Sequence, residues 1–365
     1  MRANIERVYK EVSDRLDRVN FDNIWPLFTP FPFALYNSEI VVFKGALFPR
    51  DERFFANTTI EYDGEQIAIW CIDDCEKAID YDLLAANIVH EMFHAFQKRA
   101  GETRFPDDLA LLMYPKNPEN LALKIEENCL LAAAIYADDA ERKISVLQTF
   151  CSIRKFRENL IGDFTRLEYL AEVAEGSAEY AGFCALSSLS PAKALSLLNS
   201  YCELISNPAA LQLNVRRISY YTGMLLLVLS ARLGIDIDRN LRQSKTIYEL
   251  IFQEIDAGIM LPPCQTLDMT DSKAIISAYE AKVRSDIDNF LSLSPDLICG
   301  DYKIVGYDPM NMRRIGDQVI CTTFIMLENL NSGSIEKYFG TTFMRMKPGE
   351  LRLVEAFCNA STELW

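Results

Sequence analysis

Apolar residues return at three- and four-residue spacing over 1–20 (Ile5, Val8, Val12, Leu16, Val19), which predicts an opening helix. After a stretch broken by Pro26, Pro30 and Pro32, the period changes. Runs rich in β-branched and aromatic residues at 33–37, 39–44, 58–62 and 66–72 predict short strands, and Asp63-Gly64 predicts a hairpin between the last two. Residues 80–100 return to the helical pattern, with Asp80 or Asp82 as the cap and Gly101 as the stop. Leu83, Leu84, Ile88, Val89, Met92, Phe93 and Phe96 cover most of that helix, so it is expected to be buried. Helical periodicity then dominates, near 119–137, 140–160, 164–187, 191–205, 214–233, 244–256 and 271–293. The tail differs: alternating runs at 302–307, 318–327, 341–346 and 351–357, separated by glycines, predict a β-rich appendage. The expectation is an α+β, predominantly helical chain in three parts: 1–79 (helix and small sheet), 80–293 (helical) and 294–365 (β-rich).

Composition narrows the partners. The chain has 365 residues, half of them apolar, and a formal charge of -15. A surface that tracks phosphates needs excess Lys and Arg, so nucleic acid is not expected as a partner. The acidity would repel anionic membranes, and the most apolar run, Met224 to Leu229 with its flanks, is too short to span a bilayer. With no leader-like segment at the N-terminus, a cytoplasmic location is expected. Ten scattered cysteines do not form a disulfide framework. The close pair Cys71 and Cys75 reads as buried thiols at a strand end rather than a zinc knuckle.

The chain has only two histidines, and they lie four residues apart in His90-Glu91-Met92-Phe93-His94. On a helix, positions i and i+4 are separated by about 40° around the axis and about 6 Å along it. Two imidazoles can therefore reach one ion at a Zn–N distance of about 2.0–2.1 Å. Glu91, about 100° further round, can approach a water on that ion without ligating it, which is the place of a general base. The plain alternative is a pair of core histidines. Burying two imidazoles and a carboxylate without a metal would require several polar partners.

No other histidine exists to complete the ligand set, so Cys or a carboxylate must serve. Glu168, Glu172, Glu175 and Glu179 fall on one helical stripe. Glu168 and Glu172 are expected on a solvated acidic face. Glu175 stands apart because Gly176, Ser177 and Ala178 follow it. Three small residues would let this helix approach the His90–His94 helix with one carboxylate aimed at the ion.

The segment Glu175-Gly176-Ser177-Ala178-Glu179-Tyr180 resembles the EGxAxY segment of gluzincin metallopeptidases, notably their aminopeptidase branch. The order of motif helix, gap and this segment is also similar to that of uncharacterised bacterial zincin-like proteins. The resemblance implies a zincin-like helical catalytic portion, Glu175 as third zinc ligand, and Glu179 supporting the site by holding a ligating histidine. The 81-position interval from His94 to Glu175 is far longer than in the aminopeptidases and leaves room for two extra helices. No motif for binding a free amino terminus is visible.

Together these residues lead to the expectation of one Zn2+ per chain and a peptide or protein substrate, cut with Glu91 as general base. The oxyanion needs a further donor. Tyr220 and Tyr221, at the start of an apolar helix, are the candidates, with Tyr180 a third. A neighbouring arginine, Arg216 or Arg217, could hold a substrate carboxylate. Two alternatives share the same residues: a catalytically inactive zincin-like binding protein, and a zinc hydrolase of a non-peptide amide or ester.

Overall fold

The computed structural model describes residues 2–73, 79–255, 269–293 and 296–360. Cys75, Cys264, the end of the helix expected over 244–256, and the boundary expected at 294 lie outside these residues. The chain is α+β, with helices predominating between two sheets.

Helix α1 (Arg2–Leu16) leads into five short strands: β1 (Phe33–Tyr36), β2 (Ile40–Phe43), β3 (Ala46–Pro49), β4 (Thr58–Tyr62) and β5 (Glu65–Cys71). They form one sheet in the order β3-β2-β1-β5-β4, parallel only between β1 and β5. The β4–β5 hairpin turns at Asp63 and Gly64, with φ of 51° and 79°, the paired positive values that the Asp-Gly signal anticipates. Both faces of the sheet are covered. Phe33, Leu35, Ile40, Val42 and Ala68 join the main helical core, while Phe54 caps a second cluster with Tyr36, Val41 and Ile67. Cys71 closes β5 half-buried, so the expected buried thiol is only partly enclosed.

Helix α2 (Tyr81–Ala100) carries the two histidines. Asp80 caps it by accepting the amides of Asp82 and Leu83, and Gly101 ends it in the left-handed conformation, φ 79°. A short α3 (Asp108–Leu111) precedes α4 (Pro118–Tyr136) and α5 (Ala140–Ile161), two helices that fill the long interval before Glu175. The helix expected over 164–187 is α6 (Phe164–Ala171) and α7 (Ser177–Leu189), joined by a π-helical turn at Glu172–Gly176. Then come α8 (Pro191–Ser206), α9 (Val215–Leu233), α10 (Ile247–Glu254) and α11 (Thr270–Ser292). No described helix is long and apolar enough to cross a membrane.

Seven strands close the chain: β6 (Ile298–Tyr307), β7 (Met312–Ile315), β8 (Gln318–Cys321), β9 (Phe324–Asn329), β10 (Ile335–Phe339), β11 (Thr341–Met346) and β12 (Leu353–Ala360). They pair antiparallel in the order β10-β9-β6-β12-β11-β8-β7. Val283, Ile287 and Phe290 of α11 pack against Ile320, Phe343 and Cys358. Another cluster of this sheet, with Ile304, Leu327 and Met344, takes in Leu109 of α3.

Glycine decides two close approaches. A Cβ on Gly176 would lie 2.5 Å from the Cα of Gly223, so the π-turn rests backbone to backbone on α9. The approach to the histidine helix, expected of the small residues after Glu175, falls instead to Gly182, where a Cβ would lie 2.9 Å from the Ala86 carbonyl oxygen of α2.

The acidic face expected at Glu168 and Glu172 is absent, because both side chains are buried. Glu172 receives both terminal nitrogens of Arg154, at 2.8 and 2.5 Å, and the Thr222 hydroxyl at 2.7 Å. Glu168 is bonded by Lys124, Arg157 (2.5 Å) and Tyr114. Glu127 joins Arg157 and Arg154 at 2.8 and 3.3 Å. An acidic stripe has the same spacing whether it faces water or cations on a neighbouring helix, and here α4 and α5 supply the cations.

Candidate metal centre

His90 and His94 stand one turn apart on α2, both turned toward the π-turn and α7. Their Nε2 atoms are 3.2 Å apart. Glu175 Oε2 lies 3.2 Å from the Nε2 of His94 and 3.7 Å from that of His90. Glu175 sits within the π-turn, an irregularity that often marks functional positions in helices.

Hydrogen bonds behind the rings set the tautomers. His90 Nδ1 is 2.9 Å from Glu179 Oε2, and a carboxylate accepts, so Nδ1–H donates. The other oxygen of Glu179 accepts the Tyr201 hydroxyl. His94 Nδ1 is 2.8 Å from Gln97 Oε1. The Gln97 amide nitrogen is committed to the carbonyls of Ala174 and Val173, at 2.9 and 3.3 Å. Its oxygen must therefore accept from His94. Both Nε2 atoms are left presenting lone pairs to each other and to Glu175.

Glu175 is held by its other oxygen. Arg216 donates to Oε1 and also to Asp108 of α3. Oε2 is buried with no hydrogen-bond partner among the described residues. Two imidazole nitrogens and one orphaned carboxylate oxygen thus converge with no donor among them, which calls for a cation. The three groups lie within 4.8 Å of one another and could hold a metal ion. A proton meets the same need in the metal-free chain. Burial opposes charge on His90, but the Glu175 and Glu179 carboxylates raise its pKa to about 10. Glu175 is also opposed by burial, yet the charges of His94 and Arg216 hold it well below the usual carboxylate range.

Glu91, the next residue on α2, is buried, and its carboxylate makes no hydrogen bond among the described residues. Burial raises its pKa, against the lowering charges of His94 and His90. No protein-family model matches the chain, and no curated protein or solved structure matches it significantly. The chemistry of the centre therefore rests on its own geometry.

The two candidate tyrosines part company. The Tyr220 ring stacks on the His90 imidazole, with centroids 5.6 Å apart and planes 11° apart. Burial, then the Glu175 carboxylate, push its phenol well above its ordinary value. Tyr221 packs instead on Tyr201, 4.5 Å between centroids. Tyr180 turns away to Trp25 and Arg239. Arg216, considered as a substrate ligand, is engaged by Glu175 and Asp108. Sequence reasoning missed Asp108, Gln97 and Tyr201. Gln97 had a usable signal: it lies three residues after His94 and seven after His90, on their face of α2. Asp108 and Tyr201 reach the centre only through tertiary packing.

Proposed function

We propose that the chain is a zinc-dependent metallopeptidase of the gluzincin type, with His90, His94 and Glu175 as the residues that would hold the ion. Two imidazoles and one carboxylate suit zinc in a catalytic centre, where three protein ligands leave one position open. Bound zinc would supply Lewis acidity, acidifying a water and polarising a carbonyl. Glu91 is the base: its buried carboxylate carries no competing hydrogen bond, and it would take the proton and give it to the leaving amine. Glu179 and Gln97 aim the imidazoles, and Arg216 leaves Oε2 of Glu175 as the free ligand atom.

The convergence of two imidazole nitrogens on an orphaned buried oxygen carries this reading. A peptide substrate fits the sheet edge beside α2. β4 is an edge strand, and Lys98 of α2 donates to its Thr59 at 3.1 Å. An extended peptide could add to such an edge through main-chain hydrogen bonds.

Metal analysis of the purified protein by mass spectrometry is the deciding measurement. About one zinc per chain is expected, lost in His94→Ala. Glu91→Gln should keep the zinc and lose about a hundredfold or more of the cleavage rate on a peptide library. A wild-type chain that takes up no zinc after reconstitution would end the proposal.

A further inference from the structure

A cleft of about 450 Å³ opens where the first turn of α9 meets α11 and the β7 side of the C-terminal sheet. Its lining is unlike the rest of the molecule. The chain carries 52 acidic against 37 basic residues, yet Lys116, Arg216, Lys282, Arg313 and Arg314 line this cleft with Asp108 as the one carboxylate. Acidic neighbours on α11 hold some of these cations from the side: Asp286 pairs with Lys282 and with Arg313, and Glu280 lies 3.8 Å from Lys116.

Two guanidinium groups stand out. Arg314 is buried at 6 % exposure and donates only to carbonyls, those of Gly316 at 2.8 Å and Glu350 at 3.3 Å. Among the described residues it makes no ion pair. Burial depresses its pKa, opposed by the more remote Asp317 carboxylate. Arg216 keeps its Nε buried and without an acceptor among the described residues. Arg216 also bonds the Glu175 carboxylate, so one residue belongs both to the cleft wall and to the metal centre.

We propose that this cleft holds a carboxylate-bearing segment of the substrate, so that the centre acts on acidic peptides. The proposal rests on the peptidase reading and names its substrate class. Guanidinium groups suit the task because their planar donors match a carboxylate. Lys116 and Lys282 at the rim would draw the segment in and fix its position.

The test is binding, read by fluorescence anisotropy on Glu91→Gln protein, which does not turn over. The probes are a labelled peptide rich in Asp and Glu and its Asn/Gln counterpart. The acidic peptide should bind roughly fivefold tighter or more. Lys116→Gln combined with Lys282→Gln should remove most of that preference, as should raising the salt, while Lys155→Gln, at an exposed lysine outside the cleft lining, should leave it intact. Equal binding of the two peptides, or a preference untouched by the double substitution and by salt, would overturn the proposal. The readout needs neither zinc nor cleavage. A chain that shows the preference but cuts nothing would lose the peptidase reading alone, and one that cuts without regard to charge would lose the cleft alone.

Discussion

Four glutamates on one helical stripe end in two different environments. Glu168 and Glu172 face α4 and α5, where Lys124, Arg154 and Arg157 meet them. Glu175 and Glu179 face α2, where they meet imidazoles. In the first cluster the chain supplies its own cations: three basic side chains against Glu127, Glu168 and Glu172, all buried. In the second, Arg216 satisfies one oxygen of Glu175, and the other faces two imidazole nitrogens that need a proton or an ion between them. The same residue type at the same spacing is structural where its counter-charge is covalently part of the chain. Where the counter-charge must come from elsewhere, as at Glu175, the group could hold a metal ion.

The sharpest way to break this comparison is to remove a cation from the closed cluster. Arg154→Met leaves Glu172 buried without its cation and Glu127 with Arg157 alone, and should cost about 3–5 kcal/mol of stability. Urea unfolding would measure it. The folded fraction should still bind zinc as tightly as wild type, because Arg154 touches neither histidine. A loss of zinc affinity beyond the folded fraction would mean that the two clusters are one functional unit.

Acid separates them next. Burial works against ionisation of Glu168, but Arg157 and Lys124 hold its pKa at about 2, below its ordinary 4.5. A carboxyl with a depressed folded pKa adds stability above its unfolded value, and that stability is lost as pH falls through the folded one. The urea midpoint of the metal-free protein should therefore fall as pH drops from 4.5 toward 2. Glu168→Gln should be less stable at neutral pH and show a flatter decline over that window.

Arg216 tests the open cluster. With Arg216→Gln, Glu175 loses the charge that holds its carboxylate ionised and turned, and Asp108 loses its partner. Zinc affinity, read by competition with a chromogenic chelator, should fall about 10–100-fold. Unchanged affinity would reduce Arg216 to a wall of the neighbouring cleft.

Legibility in the sequence tracks the reach of each interaction. His90, Glu91 and His94 were legible because their geometry is set within two turns of one helix. The long helices, and the cap and stop of α2, were legible for the same reason. β3, β7 and β10 were not foreseen. β3 is four residues ending at Pro49, and β7 and β10 are edge strands carrying Arg313, Arg314, Glu336 and Lys337, charges that blunt the strand pattern. The burial of Glu168 and Glu172 was misread because their partners lie on another helix. A signal existed there: Arg154 and Arg157 sit one turn apart on α5 amid Phe150, Cys151 and Ile153, an apolar setting that charges enter only when paired. The π-turn at Glu175 had no such signal, since it answers to the contact between Gly176 and Gly223.

The smallest expected effect divides two adjacent residues. Tyr220 stacks on His90 and lies in the field of Glu175, so under the peptidase reading it is the candidate donor to the oxyanion. Tyr220→Phe should lower kcat on the order of tenfold with zinc content unchanged, less than the loss of a dedicated oxyanion donor because the phenol also feels Glu175. Tyr221 touches the centre only at one remove, through the Tyr201 ring whose hydroxyl supports Glu179. Its phenyl ring does that packing, so Tyr221→Phe should leave kcat within about twofold. Were the two substitutions to have equal effects, neither hydroxyl would be acting on the reacting atoms. The donor would then have to be sought in the substrate-facing main chain rather than on α9.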